Sequence, residues 1–150
     1  MIHYRIALHD LHAHHYRVTL TVPHPAAAQR VSLPVWIPGS YMVREFSRHL
    51  SQLQARQGRR AVGLQQLDKA TWQAQCSGGA ALTLSYLVYA FDTSVRTAFV
   101  DASRGFFNGT SLCLRVEGRE SEAHAVTLAH LPRGWMVATA MPGDGKQGYV

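Results

Sequence analysis

Along most of this chain, apolar residues recur every second position in short runs, and that period decides what it can fold into. Tyr4, Ile6 and Leu8 alternate with His3, Arg5, Ala7 and His9, and Tyr16, Val18, Leu20 and Val22 alternate with His15, Arg17, Thr19 and Thr21. A period of two places one set of side chains on a buried face and the other on a polar face of a strand. The two runs, separated by the polar stretch 10–13, read as an opening hairpin that Pro23-His24-Pro25 ends, since proline cannot donate to a ladder. Val31, Leu33, Val35 and Ile37 suggest a third strand with Pro34 inside it, hence an edge or a bulge. Leu82, Leu84, Tyr86 and Val88 lie in the longest apolar run, 80–91, which is expected to be central. Leu112, Leu114 and Val116, then Val126 and Leu128, then residues 136–141 complete the set. Gly78-Gly79, Asn108-Gly109, Pro132-Arg133-Gly134 and Pro142-Gly143 punctuate these runs. Many short strands between such breaks predict an all-β fold, an antiparallel β-sandwich or barrel. One segment is ambiguous: in 45–56, Phe46, Leu50 and Leu53 also fit a helical face, and a strand is the preferred reading.

A chain of 150 residues with 47% hydrophobic and 16% charged residues can bury one substantial core. No apolar run approaches the roughly 18 to 20 residues a membrane helix needs, so no membrane partner is expected. Residues 1–10 lack the apolar stretch of a secretory signal. The chain reads as cytoplasmic, or periplasmic if a signal has been removed. The formal charge of +6 comes from thirteen arginines and two lysines, and the arginines are spread along the chain. Their one tight group, Arg56, Arg59 and Arg60, reads as a solvated hairpin tip, so no nucleic-acid partner is expected. Cys76 and Cys113 sit in or beside apolar runs and read as buried free thiols. The end of the chain, 142–150, is polar and glycine-rich and reads as a linker after a domain spanning 1–141.

Enzymatic signatures are missing. There is no His-Glu-x-x-His, no phosphate-binding or dinucleotide-binding glycine pattern, and no Gly-x-Ser-x-Gly. Ser40 follows Gly39, but Tyr41-Met42 stands where the second glycine of a nucleophile elbow belongs. Nine histidines require metal binding to be weighed. His12, His14 and His15 cluster without helical spacing and without a completing Cys, Asp or Glu, so imidazoles at a surface strand end are the preferred reading. No metal site and no catalytic residue are assigned.

Two segments are more specified than plain structure requires. In Leu33-Pro34-Val35-Trp36-Ile37-Pro38-Gly39-Ser40-Tyr41-Met42-Val43-Arg44-Glu45-Phe46, a Pro-Gly turn presents Tyr41 and Arg44. Either these have a functional role, or Trp36 and Tyr41 are core and Arg44 pairs with Glu45 or Asp68. In Asp101-Ala102-Ser103-Arg104-Gly105-Phe106-Phe107-Asn108-Gly109-Thr110-Ser111, the charged pair Asp101 and Arg104 flanks a loop that carries Phe106, Phe107 and Asn108. It suits a pocket wall or domain interface, or else a loop over the sandwich end with a phenylalanine plugging the core.

The succession LPVWIPGSYMVREFSRH, LDKATW, LVYAFDTSVRTAFVDASRGFFNGTSLCLRVEG and LPRGWMVATAM resembles the amino-terminal domain of the glycyl aminopeptidase family, metallopeptidase family sixty-one, across about residues 4–141. That family is similar to the aminopeptidase N-like enzymes. The resemblance implies a β-rich amino-terminal domain followed by a zinc-binding catalytic domain with His-Glu-x-x-His, none of whose residues lie in these 150. It implies no cofactor in this fragment and zinc in the parent enzyme. The implied partners are the catalytic domain of the same polypeptide and, through the parent enzyme, a peptide substrate. By the same analogy the 101–109 loop would face the substrate's amino group, with Asp101 as its anion, Asn108 as a polar contact, and Tyr41 and Arg44 on the rim. An isolated domain would expose apolar surface and is open to dimerisation. The alternative is a free-standing β-sandwich module for peptide or carbohydrate, binding through Trp36, Tyr41, Phe106 and Phe107.

Overall fold

A computed structural model describes residues 1–143 and 148–150. The strands β1 (Ile2–Asp10), β2 (His15–Val22) and β3 (Ala28–Ser32) come first. After a 3-10 turn (Phe46–His49) follow β4 (Leu50–Gln57), β5 (Arg60–Ala61), β6 (Leu64–Gln66), β7 (Thr71–Gln75) and β8 (Leu82–Tyr89). Next come β9 (Ala98–Val100), β10 (Gly105–Phe107), a helical turn (Gly109–Leu112), β11 (Arg115–Val116), β12 (His124–Ala129) and β13 (Gly148–Tyr149). The large sheet has the order β13-β12-β1-β2-β8-β4-β5, the smaller one β11-β3-β7-β6, and β9 and β10 form a separate hairpin. Pairing is antiparallel except between β1 and β12, which run parallel. The all-β, antiparallel-dominated sandwich expected from the period of two is present.

The inward sets meet in one core. Ile2, Tyr4 and Ile6 of β1, Tyr16, Val18, Leu20 and Val22 of β2, and Leu82, Leu84, Tyr86 and Val88 of β8 are buried in one cluster. Val31, Trp72 and Ala74 join them from the smaller sheet, and Leu112, Leu114 and Val116 from the segment after the hairpin. Outward positions carry polar pairs instead, such as His3 Nε2 with Thr127 Oγ1 at 2.8 Å and Arg17 with His9 at 3.2 Å. Several histidines and arginines are thereby used as surface hydrogen-bond partners.

Three inward tyrosines do more than fill space. Tyr86 donates to the carbonyl of Leu112 at 2.7 Å and accepts from the amide of Leu114 at 3.1 Å. Tyr4 donates to Leu114 O at 2.8 Å, and Tyr16 to Phe99 O at 3.0 Å. A buried hydroxyl must be paired, and here each pairing fastens non-strand or hairpin main chain to the large sheet.

Some boundaries differ from the sequence expectation. The strand around Val31 ends at Ser32, before Pro34, and residues 33–45 form a long loop. Leu112 closes a helical turn, so only Arg115–Val116 of that apolar run is strand, and 136–141 forms no strand. Within the expected linker 142–150, residues 144–147 lie outside the described residues, and Gly148–Tyr149 pairs onto β12.

Tyr86→Phe leaves a buried donor and a buried acceptor without partners, and should cost about 2–4 kcal/mol of stability, read from urea unfolding. A second expectation concerns alkali. Burial pushes the Tyr4, Tyr16 and Tyr86 hydroxyls well above the ordinary tyrosine range. An unfolded chain loses these protons from about pH 10 upward, while the folded protein keeps them. The folded state therefore binds more protons, and stability that is complete below about pH 10 falls as pH rises further. Melting temperatures measured from pH 8 to pH 12 should show this decline, with tyrosinate absorbance from the three rings appearing only on unfolding.

Candidate functional site

The 33–45 loop is a self-braced turn. Pro38-Gly39 occupies its corner, Gly39 has φ 81°, and Ser40 N donates to Ile37 O at 3.2 Å, which is a type II turn. Trp36 Nε1 donates to Ser40 O at 2.8 Å, Arg44 Nε to Ser40 Oγ at 2.9 Å, and Ser40 Oγ to Met42 O at 2.8 Å. Ser40 is thus buried as a hub for its own loop, with no imidazole or carboxylate beside it to activate it. The reading of Trp36 and Tyr41 as core is overturned: Trp36 is 50% exposed and Tyr41 105%. Arg44 pairs with neither Glu45 nor Asp68. Glu45 takes Lys69 at 3.2 Å, and Asp68 accepts the amide of Ala70 at 2.8 Å. With the polar atoms turned onto one another, Val35, Tyr41, Met42 and Val43 are left facing solvent.

A second loop, 92–97, is knotted in the same manner. Asp92 Oδ1 accepts Ser94 N at 2.8 Å, and Thr97 Oγ1 donates to Ser94 O at 2.9 Å. Asn108 Nδ2 donates to Val95 O at 2.6 Å, so this side chain acts as a brace between loops. Arg96 Nε reaches Gly39 O at 3.3 Å and ties this loop to the one that bears Tyr41 and Arg44.

The tip of the β9–β10 hairpin carries Asp101 and Arg104. Asp101 Oδ1 accepts Ser103 N at 2.7 Å, Ser103 Oγ at 2.7 Å and Arg104 N at 3.0 Å. These bonds to the ionised form, with the Arg104 charge as a smaller contribution, hold the carboxyl below the usual carboxylate range. All three use one oxygen, so Oδ2 remains as an acceptor. Arg104 makes no ion pair with Asp101; its guanidinium lies 5.3 Å from the centre of the Phe99 ring. Phe106 stacks on Phe99 at 6.3 Å, while Phe107 packs edge-on to Tyr16 at 5.5 Å against the core. Of the two phenylalanines, Phe107 is the plug. No hydrogen bond or ion pair joins Tyr41 and Arg44 to Asp101 and Arg104; Asn108, at the far end of the hairpin, is bonded to the 92–97 loop that reaches Gly39.

The histidine cluster lies partly in the turn before β2 rather than on a strand. Asp10 Oδ1 closes that turn on the amides of His12 and Ala13. His14 Nδ1 meets Val100 O at 2.7 Å, and the His14 ring stacks on Phe91 at 3.8 Å. Since a carbonyl only accepts, Nδ1 carries the proton. Among the described residues, no group of three or more His, Cys, Asp and Glu side chains is gathered to hold a metal. The described residues therefore do not fit a zinc site.

The peptidase M61 N-terminal domain family matches residues 3–150. The chain belongs to that family. A crystal structure of an aminopeptidase N family protein from Idiomarina loihiensis superposes on this M61 domain with a TM-score of 0.92 at 41% identity, over 99% of this chain. The M61 domain spans 26% of the length of that protein. No curated protein matches it.

Nothing in the sequence assigned a role to His49, Asp92 or Ser111, although Ser111 ends the marked segment 101–111; the three border a cleft of about 470 Å³ with Phe46, Tyr89 and Phe99. The available signal was Asp92-Thr93-Ser94, an acidic residue two positions before a serine between strands, the pattern of an Asx turn. Serine, histidine and aspartate in one cleft invite a hydrolase reading, and the bonding denies it. Ser111 Oγ has no partner, and His49 Nε2 accepts from Arg48 Nε at 3.1 Å.

One substitution tests whether the hairpin is held as described. A Cβ at Gly105 would sit 2.5 Å from the Tyr16 hydroxyl and 3.3 Å from Val100 Cγ2. Gly105→Ala should therefore displace the Tyr16–Phe99 bond and lower stability by roughly 1–3 kcal/mol, measured by thermal unfolding.

Proposed function

We propose that this M61 domain is the non-catalytic amino-terminal part of a zinc-dependent glycyl aminopeptidase. In that reading it packs on the catalytic domain of the same polypeptide and shapes the cleft that receives a peptide's amino terminus. The zinc and its ligands belong to the catalytic domain; this chain contributes a scaffold and a loop. The observation that carries the reading is the Asp101 carboxylate. It stands on a rigid two-stranded arm, ionised by three hydrogen bonds on one oxygen, with the other oxygen open. A fixed anion at the tip of a braced hairpin suits a substrate ammonium group. It would be oriented before binding, so little side-chain entropy would be lost on contact. The exposed apolar stretch of the 33–45 loop supports the packing half of the proposal, because contiguous apolar surface marks interaction sites.

Asp101→Asn separates the charge from the turn. The amide oxygen still accepts the Ser103 and Arg104 amides, but the negative charge is gone. In the full-length enzyme this variant should raise KM for unblocked peptides by roughly 10-fold, the value of one charge-assisted hydrogen bond, with kcat changed much less. Asp101→Ala, which also loosens the turn, should do at least as much. Unchanged steady-state kinetics in both variants would remove the carboxylate from substrate binding.

A further inference from the structure

The outward face of the large sheet gathers positive charge that no carboxylate among the described residues pairs. Arg5 and Arg17 occupy outward positions on the neighbouring strands β1 and β2. Arg17 lies opposite Ala7, two residues along β1 from Arg5, so the two arginines are diagonal neighbours. Such neighbours stand about 7–8 Å apart, within reach of long side chains. Among the described residues, no ion pair includes either arginine. Each donates through Nη2 to a histidine Nε2 instead, Arg5 to His130 and Arg17 to His9, both at 3.2 Å. A guanidinium has no acceptor, so each imidazole accepts at Nε2 and carries its proton on Nδ1 as a further donor. Outward positions of β1, β2, β8 and β12 carry no Asp or Glu short of Asp10, at the end of β1. The Oδ1 of Asp10 is taken by the amides of His12 and Ala13.

The arginines are also held in place. Ala7 and Leu87 flank Arg17 on the adjoining strands, and both point outward, yet they are only 2% and 6% exposed. The aliphatic stem of Arg17 lies between them and shields them, as long cationic side chains do on apolar surface. Arg5 and Arg17 both keep contact with solvent, and Nε and Nη1 of each bond to nothing among the described residues.

We infer that this face binds a phosphate-class dianion, bridged between the Arg5 and Arg17 guanidiniums over Ala7, with His9 and His130 as flanking donors. Two unmatched guanidiniums call for two negative charges. A tetrahedral dianion presents oxygens in several directions and can bond both forks at once, whereas a carboxylate fills one. A cation is repelled, and an uncharged ligand leaves both charges unanswered. A phosphodiester brings one charge and two blocked oxygens, so it ranks below a monoester. The inference is independent of the peptidase reading, because it uses neither Asp101 nor the 33–45 loop.

The test is an amide chemical-shift titration of the 150-residue chain at constant ionic strength, at about pH 7.5, where phosphate monoesters are mostly dianionic. Sodium phosphate and phenyl phosphate are the probes, and dimethyl phosphate and sodium acetate the comparison anions. At least one probe should give saturable shifts centred on residues 5–9, 17 and 127–130, with a millimolar dissociation constant. Both comparison anions should bind at least 5-fold more weakly. Phenyl phosphate more than 3-fold tighter than phosphate assigns the site to a phosphorylated molecule; a smaller ratio assigns it to the free ion. Arg5→Gln and Arg17→Gln should each weaken binding roughly 10-fold, the worth of one charge-assisted hydrogen bond. Arg56, on β4 opposite Thr83, shares this face but lies away from Ala7, and Arg56→Gln should change affinity less than 2-fold. All three substitutions are at outward positions, and the ligand-free spectra should keep their native dispersion. The inference is overturned if neither probe saturates, or if dimethyl phosphate or acetate binds as tightly as the better probe. It is equally overturned if neither Arg5→Gln nor Arg17→Gln weakens binding, or if Arg56→Gln weakens it as much as they do, which would mark a diffuse effect of net charge.

Discussion

Three phenolic hydroxyls, on Tyr4, Tyr16 and Tyr86, cross the core from the large sheet to main-chain atoms at Phe99, Leu112 and Leu114. Their rings add large buried area, yet their position follows from the hydroxyls. The segment from β9 to β11 contains only short pieces of regular structure, so its main-chain polar groups lack a continuous ladder. The tyrosines supply partners that a long strand would have supplied. They sit on β1, β2 and β8, which neighbour one another in the sheet, so the irregular segment is fastened along a line rather than at one point. Because burial keeps the three hydroxyls protonated, this fastening is insensitive to pH over the range in which the protein lives folded.

The rest of the functional surface depends on that fastening. The Asp101 tip is aimed by the β9–β10 hairpin, and the hairpin is held to the sandwich by Tyr16 at Phe99 and by His14 at Val100. Within each loop the same economy recurs. Asp92, Asp101 and Ser40 each spend one side-chain oxygen on neighbouring main-chain or side-chain donors. Loops built this way cost little entropy to hold when something binds, since their ordering has already been met on folding. The main chain that presents Asp101 and Tyr41 is thereby ordered by the folded protein's own bonds.

How much of this was legible in the sequence depends on which force set each feature. Alternation in 2–10, 15–22 and 82–89 was readable because burial of one sheet face imposes a period of two. The family resemblance rests on 33–49, 67–72, 87–118 and 131–141, and the first and third of these carry the braced loops. Yet the exposure of Tyr41 was not readable from its type. A tyrosine after a Pro-Gly turn fits a core or a rim equally, and only the Trp36–Ser40–Arg44 bonds turn it outward. The run 112–116 reads as a strand because Leu112, Leu114 and Val116 alternate with Cys113 and Arg115, but a helical turn and the Tyr86 bonds deliver Leu112 and Leu114 to the core by another route. Ser111 stands at the end of the marked segment 101–111, but its burial without a partner was not readable, because an unpaired hydroxyl leaves no pattern in a sequence.

The ambiguous stretch 45–56 shows how a helical signal can arise in a β protein. Phe46 is buried by the 3-10 turn, while Leu50 and Leu53 lie on β4 three positions apart, an odd spacing that a regular strand sends to opposite faces. The register of β4 against β8 shifts between Ser51 and Gln54, and Gln52 has φ 54°. That bulge absorbs the extra residue, so Leu50 and Leu53 both pack against the core, as do Ala55 and Val88. Glu45, just before the turn, has φ 46°. A left-handed backbone costs a non-glycine residue roughly 1–2 kcal/mol, and two such residues bracket the turn that carries Arg48 and His49. Such strain persists only where the surroundings over-determine the conformation. Here Phe46 in the core, the Lys69–Glu45 pair and the β4–β8 ladder do so. The wall of the cleft that this turn forms is thus anchored from beneath by the core.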